Sequence, residues 1–182
     1  VTWAGLLWFG WFGFNAGSAV ASGGLAASAF IATHFAASAA TLSWMFAEWM
    51  VKGKPSALGA ASGAVAGLVA ITPAAGYVTV GASIAIGFAA SITSNLAVHW
   101  KSRSTIDDTL DVFPCHGVGG MVGMIATGFF ADKVGLIYGD STVFLHHIGA
   151  LAIVTLYTFG GSFVLYKITD LIISLRVRPE QE

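Results

Sequence analysis

The stretch GYVTVGASIAIGFAASITSNLAV, residues 76–98, decides the fold because it is long and carries no charged side chain. As a helix it would reach about 34 Å, and the hydrocarbon core of a bilayer is about 30 Å thick. Residues 58–71 are also free of charge. The sequence therefore predicts helices that cross a membrane.

The composition of the whole chain points the same way. Of 182 residues, 56% are hydrophobic and 9% are charged, and the mean hydropathy is +0.80. A soluble domain has about 25% charged residues because its surface faces water. The net charge is −1 without a basic patch, which excludes nucleic acid as a partner. The single cysteine, Cys115, excludes an internal disulfide.

Charged residues, glycines and prolines divide the chain into six predicted membrane helices, so the predicted fold is an all-α polytopic bundle. The helices lie near residues 1–18, 26–50, 56–72, 79–100, 107–131 and 143–176. Glycines recur at helical spacing, as in Gly59, Gly63 and Gly67, and in Gly119 and Gly123. In lipid, helices associate through close contact at small residues, so these glycines predict helix–helix interfaces.

The basic residues predict the orientation. On one side of the six-helix arrangement lie Lys52, Lys54, Lys101, Arg103, Lys167, Arg176 and Arg178, and only Lys133 lies on the other. The positive-inside rule then places the first side in the cytoplasm, with residues 177–182 beginning a cytoplasmic tail. An even number of spans puts Val1 on the same side, so we expect further helices before it in the natural protein.

Ionisable residues inside predicted spans are candidates for function, because an exposed charge there costs several kcal/mol. His116 is the foremost of them, since an imidazole can exchange a proton near neutral pH. It lies about 14 Å into the fifth helix if that helix starts at Asp107, and about 7 Å if Asp111 is the N-cap. The alternative is a histidine that bonds a neighbouring carbonyl. Glu48 is predicted to pair with Lys52 at i, i+4.

The first predicted helix carries Trp11, Phe14 and Ser18 on one face, because three and four residues separate them. An aromatic face that leads to a hydroxyl suits a small cation, through cation–π contact and hydrogen bonding. The alternative is an aromatic belt at the membrane surface.

Three motifs resemble the Amt family of ammonium transporters. Residues 10–18 (GWFGFNAGS) are similar to the family's sixth helix, residues 55–73 (PSALGAASGAVAGLVAITP) to its eighth, and residues 107–117 (DDTLDVFPCHG) to the start of its tenth. The resemblance covers essentially the whole chain, in order. It implies that residues 1–182 are the second half, helices six to eleven, of an eleven-helix homotrimeric transporter with one pore per subunit.

The resemblance also implies site residues, which are Trp11, Phe14, Ser18, Ser62, Thr72, Asp111, Val112 and His116. Ser18 matches a residue that binds ammonium at the outer mouth, Phe14 one of two stacked gate phenylalanines, and Trp11 a pore-lining tryptophan. His116 matches the second member of a pore histidine pair, and Val112 an apolar pore wall. Ser62, Thr72 and Asp111 match polar positions around the path. The first histidine belongs to helices outside this chain.

The mechanism that the resemblance implies is transport, with no enzymatic activity, cofactor or metal. Ammonium leaves a proton behind and crosses a narrow apolar pore as ammonia, whereas potassium cannot escape the dehydration cost. Expected partners are membrane lipid, the other subunits of a homotrimer and a PII-type cytoplasmic regulatory protein, and the expected location is the inner (plasma) membrane. Alternatives are an ammonium sensor on the same scaffold, an Rh-type ammonia channel, and a haem protein with paired histidine ligands.

Overall fold

Six α-helices make up most of the chain in the computed structural model, which describes residues 1–176. The helices α1 to α6 are Thr2–Gly17, Gly24–Lys52, Ala57–Ile71, Val80–Lys101, Gly119–Phe130 and Thr142–Ile172. A π-helical turn, Phe113–Val118, leads into α5, and a 3-10 turn, Leu136–Tyr138, precedes α6. The all-helical fold predicted from the sequence is confirmed. The expected tail, residues 177–182 with Arg178, lies outside the described residues.

Four helices are long and apolar enough to cross a membrane. They are α2, α4, α6 and the helix Phe113–Phe130 that joins the π-helical turn to α5. α1 has 16 residues and α3 has 15, which correspond to about 24 and 22 Å. Eight of the residues of α3 are buried between neighbouring helices. Other helices therefore surround much of α3, and α3 exposes little surface to lipid.

Small side chains let α2 and α3 pack closely, with α4 beside them. A Cβ added at Gly67 would lie 2.7 Å from Ala36 O, and one added at Gly63 would lie 2.8 Å from Ala40 O. On another face of α3, a Cβ added at Gly123 of α5 would collide with the α3 backbone. The helix–helix interfaces predicted from the glycine spacing are therefore confirmed for both helices.

Helices that follow one another in the chain run antiparallel, so alternate connections lie at the same end of the bundle. As the α3 glycines advance along the chain, their contacts on α2 run backwards, from Trp44 at Gly63 to Ala36 at Gly67. The N–H of Asp132 donates a hydrogen bond to Tyr77 O at 2.8 Å, which ties the α5–α6 connection to the α3–α4 connection. We call the end that holds these two connections the acidic end. The opposite end, which holds the α2–α3 and α4–α5 connections, is called the basic end.

The predicted pair of Glu48 with Lys52 is present at the basic end, with Lys52 Nζ 2.9 Å from Glu48 Oε1. Glu48 is 6% exposed. Its other carboxylate oxygen accepts hydrogen bonds from the N–H and hydroxyl of Ser56, at 2.9 and 2.8 Å. Ser56 in turn caps α3 by accepting from the N–H of Gly59. One buried carboxylate thus links the end of α2 to the start of α3.

The fifth helix starts later than the boundary predicted at residue 107. The carboxylate of Asp108 accepts hydrogen bonds from the N–H groups of Val112 and Phe113, both at 2.9 Å, where the positive end of the helix dipole favours it. Asp111 has a φ of 54°, a left-handed conformation that a helix cannot continue through. Asp111 O accepts a hydrogen bond from the N–H of Cys115 at 3.0 Å, so the helix begins at Val112, directly after Asp111. His116 therefore lies about 6 Å along the helix, close to the shallower predicted depth.

α6 stands apart from the rest of the bundle. None of its 31 residues is buried, and it packs only against α5 and the 3-10 turn. It ends at Ile172, four residues before the predicted boundary, because Ile173 has an extended backbone. At its start, the N–H of Thr142 donates to Asp140 Oδ1 at 2.8 Å, and this bond lowers the pKa of the Asp140 carboxyl. The separation leaves a groove between α6 and the other helices.

Candidate functional site

A groove of about 870 Å³ lies between α6 on one side and α1, α3 and α5 on the other. On α6 it runs from Leu151 to Tyr166, which is about 22 Å along the helix axis. Trp11 of α1, Thr72 at the end of α3 and His116 of the π-helical turn line the opposite walls. The structure thus brings three of the predicted site residues to one surface.

The lining of this apolar groove is almost free of charge. No Asp, Glu, Lys or Arg lines it in the described part of the chain, and His116 is its one histidine. Apolar side chains such as Met121, Met124 and Phe113 provide most of the wall, and α6 adds the hydroxyls of Thr158 and Ser162. An ion that enters such a surface loses hydration that the walls do not replace.

The π-helical turn sets the position of His116. Pro114 is its second residue and lies in the first turn of the helix, where a missing N–H costs no intrahelical hydrogen bond. Pro114 and Cys115 are buried, while His116 is exposed toward the groove. π-Helical turns inside helices frequently occur at functional sites. Here the turn directs one ionisable side chain into an apolar wall.

Trp11 is held in place by Thr72. The Trp11 Nε1 donates a hydrogen bond to Thr72 Oγ1 at 2.8 Å, and the Thr72 hydroxyl donates to Leu68 O at 2.8 Å. The ring of Phe14 lies edge-on to Trp11, with their centroids 5.7 Å apart. The aromatic face predicted on α1 is therefore tied to the end of α3.

A second cavity of about 270 Å³ lies at the acidic end, between α1, α2 and the end of α3. Phe14, Ser18, Thr72 and Tyr77 line it, and we call it the end pocket. Thr72 belongs to both cavities, so the end pocket adjoins the groove. The Ser18 hydroxyl donates to Phe14 O at 2.5 Å, which leaves its lone pairs free. The structure therefore places Phe14 and Ser18 beside Trp11 and Thr72.

The other predicted site residues, Ser62, Asp111 and Val112, line neither cavity. Asp111 Oδ1 lies 2.6 Å from Lys101 Nζ, which also donates to Asp108 O at 2.6 Å. Through these contacts Lys101, at the end of α4, holds two residues of the α4–α5 connection at the basic end. Ser62 is half-buried on α3, and Val112 is half-exposed at the N-cap of the π-helical turn.

Asn15 is a polar group of the end pocket that is not among the site residues predicted from the sequence. It is 7% exposed and lines the end pocket. Its Nδ2 donates to Thr33 Oγ1 of α2 at 3.0 Å. The sequence held a signal, because an amide between Phe14 and Ser18 interrupts an otherwise apolar helix. The groove residues of α6 had no comparable signal, since their spacing is that of any apolar helix.

The remaining histidines lie away from the groove. His34 is exposed on α2 beside the rings of Trp8 and Phe12, with centroids 5.6 and 6.1 Å away. His99 Nδ1 is 3.0 Å from Asn95 O. Within residues 1–176 no group of three or more potential ligands could hold a metal ion, and no second histidine lines the groove.

Comparison with known proteins finds similarity along the whole chain. Residues 2–182 match the Ammonium Transporter Family. The chain is 45% identical over 187 residues to a putative ammonium transporter of Methanothermobacter thermautotrophicus, covering 98% of this chain and 46% of that protein. It is 46% identical over 189 residues to an ammonium transporter of Bacillus subtilis, covering 97% of this chain and 46% of that protein.

Two solved structures share this fold. The crystal structure of Candida albicans Mep2 superposes with a TM-score of 0.91 at 34% identity, covering 97% of this chain and 42% of that one. A Sensor Amt Protein superposes with a TM-score of 0.87 at 30% identity, covering 98% of this chain and 45% of that one. The chain spans less than half the length of each of these relatives.

Proposed function

This chain belongs to the ammonium transporter family, and we propose that it is the second half of a membrane transporter that carries ammonium or ammonia through a narrow apolar pore. Two observations support the assignment of the chain to the second half. The three motifs occur in the order of the family's helices, and the chain spans 46% of the length of the first relative. The observation that carries the proposal is the apolar groove, because it presents one histidine on a wall without charged side chains.

The lining of the groove favours ammonia over ions. Moving a bare ion from water into a low-dielectric passage costs many kcal/mol, and no charged side chain in the described residues offsets that cost. Ammonium avoids the cost by leaving a proton behind and crossing as a neutral molecule. Potassium has no proton to leave, so it is rejected.

In this mechanism His116 is the second member of a histidine pair, whose first member lies in the rest of the protein. An imidazole both donates and accepts hydrogen bonds, so it can hold ammonia and pass a proton along. Its exposure toward the groove supports this role. Trp11, Phe14 and Ser18 recruit ammonium at the acidic end, where aromatic faces and a hydroxyl oxygen attract a small cation.

The proposed setting is a homotrimer in the inner (plasma) membrane, with the basic end in the cytoplasm. The positive-inside rule supports this orientation, because four basic residues lie at that end: Lys52, Lys54, Lys101 and Arg103. A PII-type regulatory protein would approach from the same side. Lipid would surround the exposed outer face of α6.

A second candidate is an ammonium sensor on the same scaffold, favoured by the 30% identity and TM-score of 0.87 to the Sensor Amt Protein. A sensor binds ammonium without needing to conduct it. Reconstitution separates the two functions, because a transporter moves ammonium into liposomes and a sensor only binds it.

The deciding experiment uses His116→Ala in the complete protein, reconstituted in liposomes. We expect ammonium flux to fall about a hundredfold, the low end of what a positioned proton-transfer group contributes, or the selectivity over potassium to be lost. The matched control is His34→Ala, which removes a histidine that does not line the groove. If His116→Ala keeps both the rate and the selectivity of the parent, the proposed mechanism is wrong.

A further inference from the structure

The Trp11 indole uses its one hydrogen-bond donor inside this chain. An indole has a single polar hydrogen, on Nε1, and no acceptor. Trp11 Nε1 donates this hydrogen to Thr72 Oγ1 at 2.8 Å. The Thr72 hydroxyl donates its own hydrogen to Leu68 O, also at 2.8 Å, so its oxygen receives the indole N–H with a lone pair. The directions of both hydrogen bonds are thereby fixed.

The acceptor of the indole N–H is held by a rigid part of the backbone. Thr72 is the C-cap of α3, and it is followed by Pro73, whose ring restricts the backbone. In the last turn of α3, Leu68 and Ile71 are fully buried. Threonine is branched at Cβ, which restricts rotation of its side chain further. α3 therefore sets the orientation of Trp11 through one hydroxyl group.

This hydrogen bond lies where the two cavities adjoin. Trp11 and Thr72 both line the apolar groove, as does His116. Thr72 also lines the end pocket, together with Phe14. The Phe14 ring contacts Trp11 edge-on, with their centroids 5.7 Å apart. The indole therefore lies beside the route from the end pocket to His116.

A free N–H beside that route would act differently on ammonium and on an aromatic ring's other ligands. Ammonium has four N–H donors, a positive charge and no lone pair, so a donor that faced it would repel it. The face of an aromatic ring carries partial negative charge and attracts a cation. Because Thr72 accepts the indole N–H, the part of Trp11 that lines the groove presents a ring without a free donor.

We propose that Thr72 is a positioning residue, which holds the indole N–H of Trp11 away from the transported molecule so that Trp11 attracts ammonium through its ring alone. The inference rests on the proposed function, since it concerns how Trp11 recruits ammonium. Thr72 acts through Trp11 and does not itself bind the cation. Loss of its hydroxyl therefore matters only while residue 11 carries an N–H.

The test is a double-mutant cycle in the complete protein, reconstituted in liposomes. Thr72→Val keeps the shape of the side chain and removes the acceptor. We expect the half-saturation concentration for ammonium to rise about fivefold, equivalent to about 1 kcal/mol, with an unchanged maximum rate. Thr72→Ser retains the hydroxyl and should keep the parent value. Trp11→Phe retains a ring without an N–H, so adding Thr72→Val to it should have no further effect.

Thr41→Val is the matched control on α2. The Thr41 hydroxyl donates to Ala37 O at 2.8 Å, as the Thr72 hydroxyl does to Leu68 O, and Thr41 lines neither cavity. This control should match the parent. An unchanged half-saturation concentration in Thr72→Val overturns the proposal. So does an equal rise with tryptophan and with phenylalanine at position 11, which would mean that the hydroxyl binds ammonium itself or only stabilises α3.

A spectroscopic measurement separates this inference from the proposed transport. In the complete protein labelled with ¹⁵N-tryptophan, Trp11→Phe identifies the indole signal of Trp11 by its loss. We expect the N–H proton of that signal to move upfield in Thr72→Val, because its hydrogen bond is lost, and to stay in place in Thr72→Ser. An unchanged signal in Thr72→Val rejects the inference whether or not the protein transports ammonium.

Two further measurements cover the remaining outcomes. Should Thr72→Val not fold, Thr72→Ala removes the same hydroxyl and takes its place in the cycle. Should the parent protein not transport ammonium, the proposed function fails separately, and titration of the Trp11 signal with ammonium chloride then measures binding. Weaker binding in Thr72→Val than in Thr72→Ser supports the positioning role, and equal binding in the two variants rejects it.

Discussion

Gly123→Ala should destabilise the protein, because α5 has no room for a methyl group at that position. A Cβ at residue 123 would collide with Ala70 O and lie 2.9 Å from the Cα and carbonyl carbon of Ala70. Carbon atoms in ordinary contact are about 3.5–4.0 Å apart, so α5 would have to withdraw from α3 by about 1 Å. The obstructing atoms belong to the backbone of a buried helix and cannot move aside as a side chain would.

The size of the effect follows from two opposing terms. Alanine is favoured over glycine inside a helix by about 1 kcal/mol. Overpacking a tight interface costs about 1–3 kcal/mol, and contact with rigid backbone puts this case at the upper end. We therefore expect a net loss of about 2 kcal/mol in the free energy of unfolding, from a cost of about 3 and a gain of about 1.

Gly120→Ala is the matched control on the same helix. Its added Cβ would have Val69 Cγ1 as nearest neighbour, at an ordinary distance of 3.8 Å. This variant should keep the helix-propensity gain of about 1 kcal/mol, so the two variants should differ by about 3 kcal/mol. Unfolding in detergent with increasing SDS, followed by tryptophan fluorescence, measures the difference. Equal stability of the two variants would refute the packing argument.

Two other predictions concern the ends of the bundle. Glu48→Leu should lower the free energy of unfolding by about 3 kcal/mol, because it leaves the N–H and hydroxyl of Ser56 without their buried acceptor. Glu48→Gln should lower it by less. Unfolding in detergent measures both variants, and an unchanged stability of Glu48→Leu would contradict the linking role of the carboxylate. A membrane-impermeant thiol reagent added outside cells should label Ser141→Cys at the acidic end and not Lys54→Cys at the basic end, while buried Cys115 stays unlabelled. Equal labelling of the two introduced cysteines would contradict the proposed orientation.

Hydropathy and residue spacing were enough to predict the helices and the interfaces between them. A long uncharged stretch such as residues 76–98 can satisfy its backbone in lipid without any neighbouring segment when it forms a helix. Gly63 and Gly67 recur at four-residue spacing, which places them on one helix face in any fold. The pair of Glu48 and Lys52 is equally local, because four residues along a helix bring two side chains together.

The start of the fifth helix was not predictable in this way. Asp107, Asp108 and Asp111 are all acceptable at a helix N-terminus, so their residue types do not select among them. The clamp by Lys101, which bonds Asp108 O and Asp111 Oδ1, comes from the end of α4. That contact accompanies the left-handed conformation of Asp111, after which the helix begins. The boundary therefore depends on a neighbouring helix.

The sequence by itself determined the all-helical fold and the family motifs that contain Ser18 and His116. Only the tertiary structure gathered Trp11, Thr72 and His116 at one groove, because helices far apart in the chain supply them. It alone also oriented the Asn15 amide, through a bond to Thr33 on a different helix. Local periodicity records which face a residue occupies, but the direction of a hydrogen bond between two helices depends on how those helices pack.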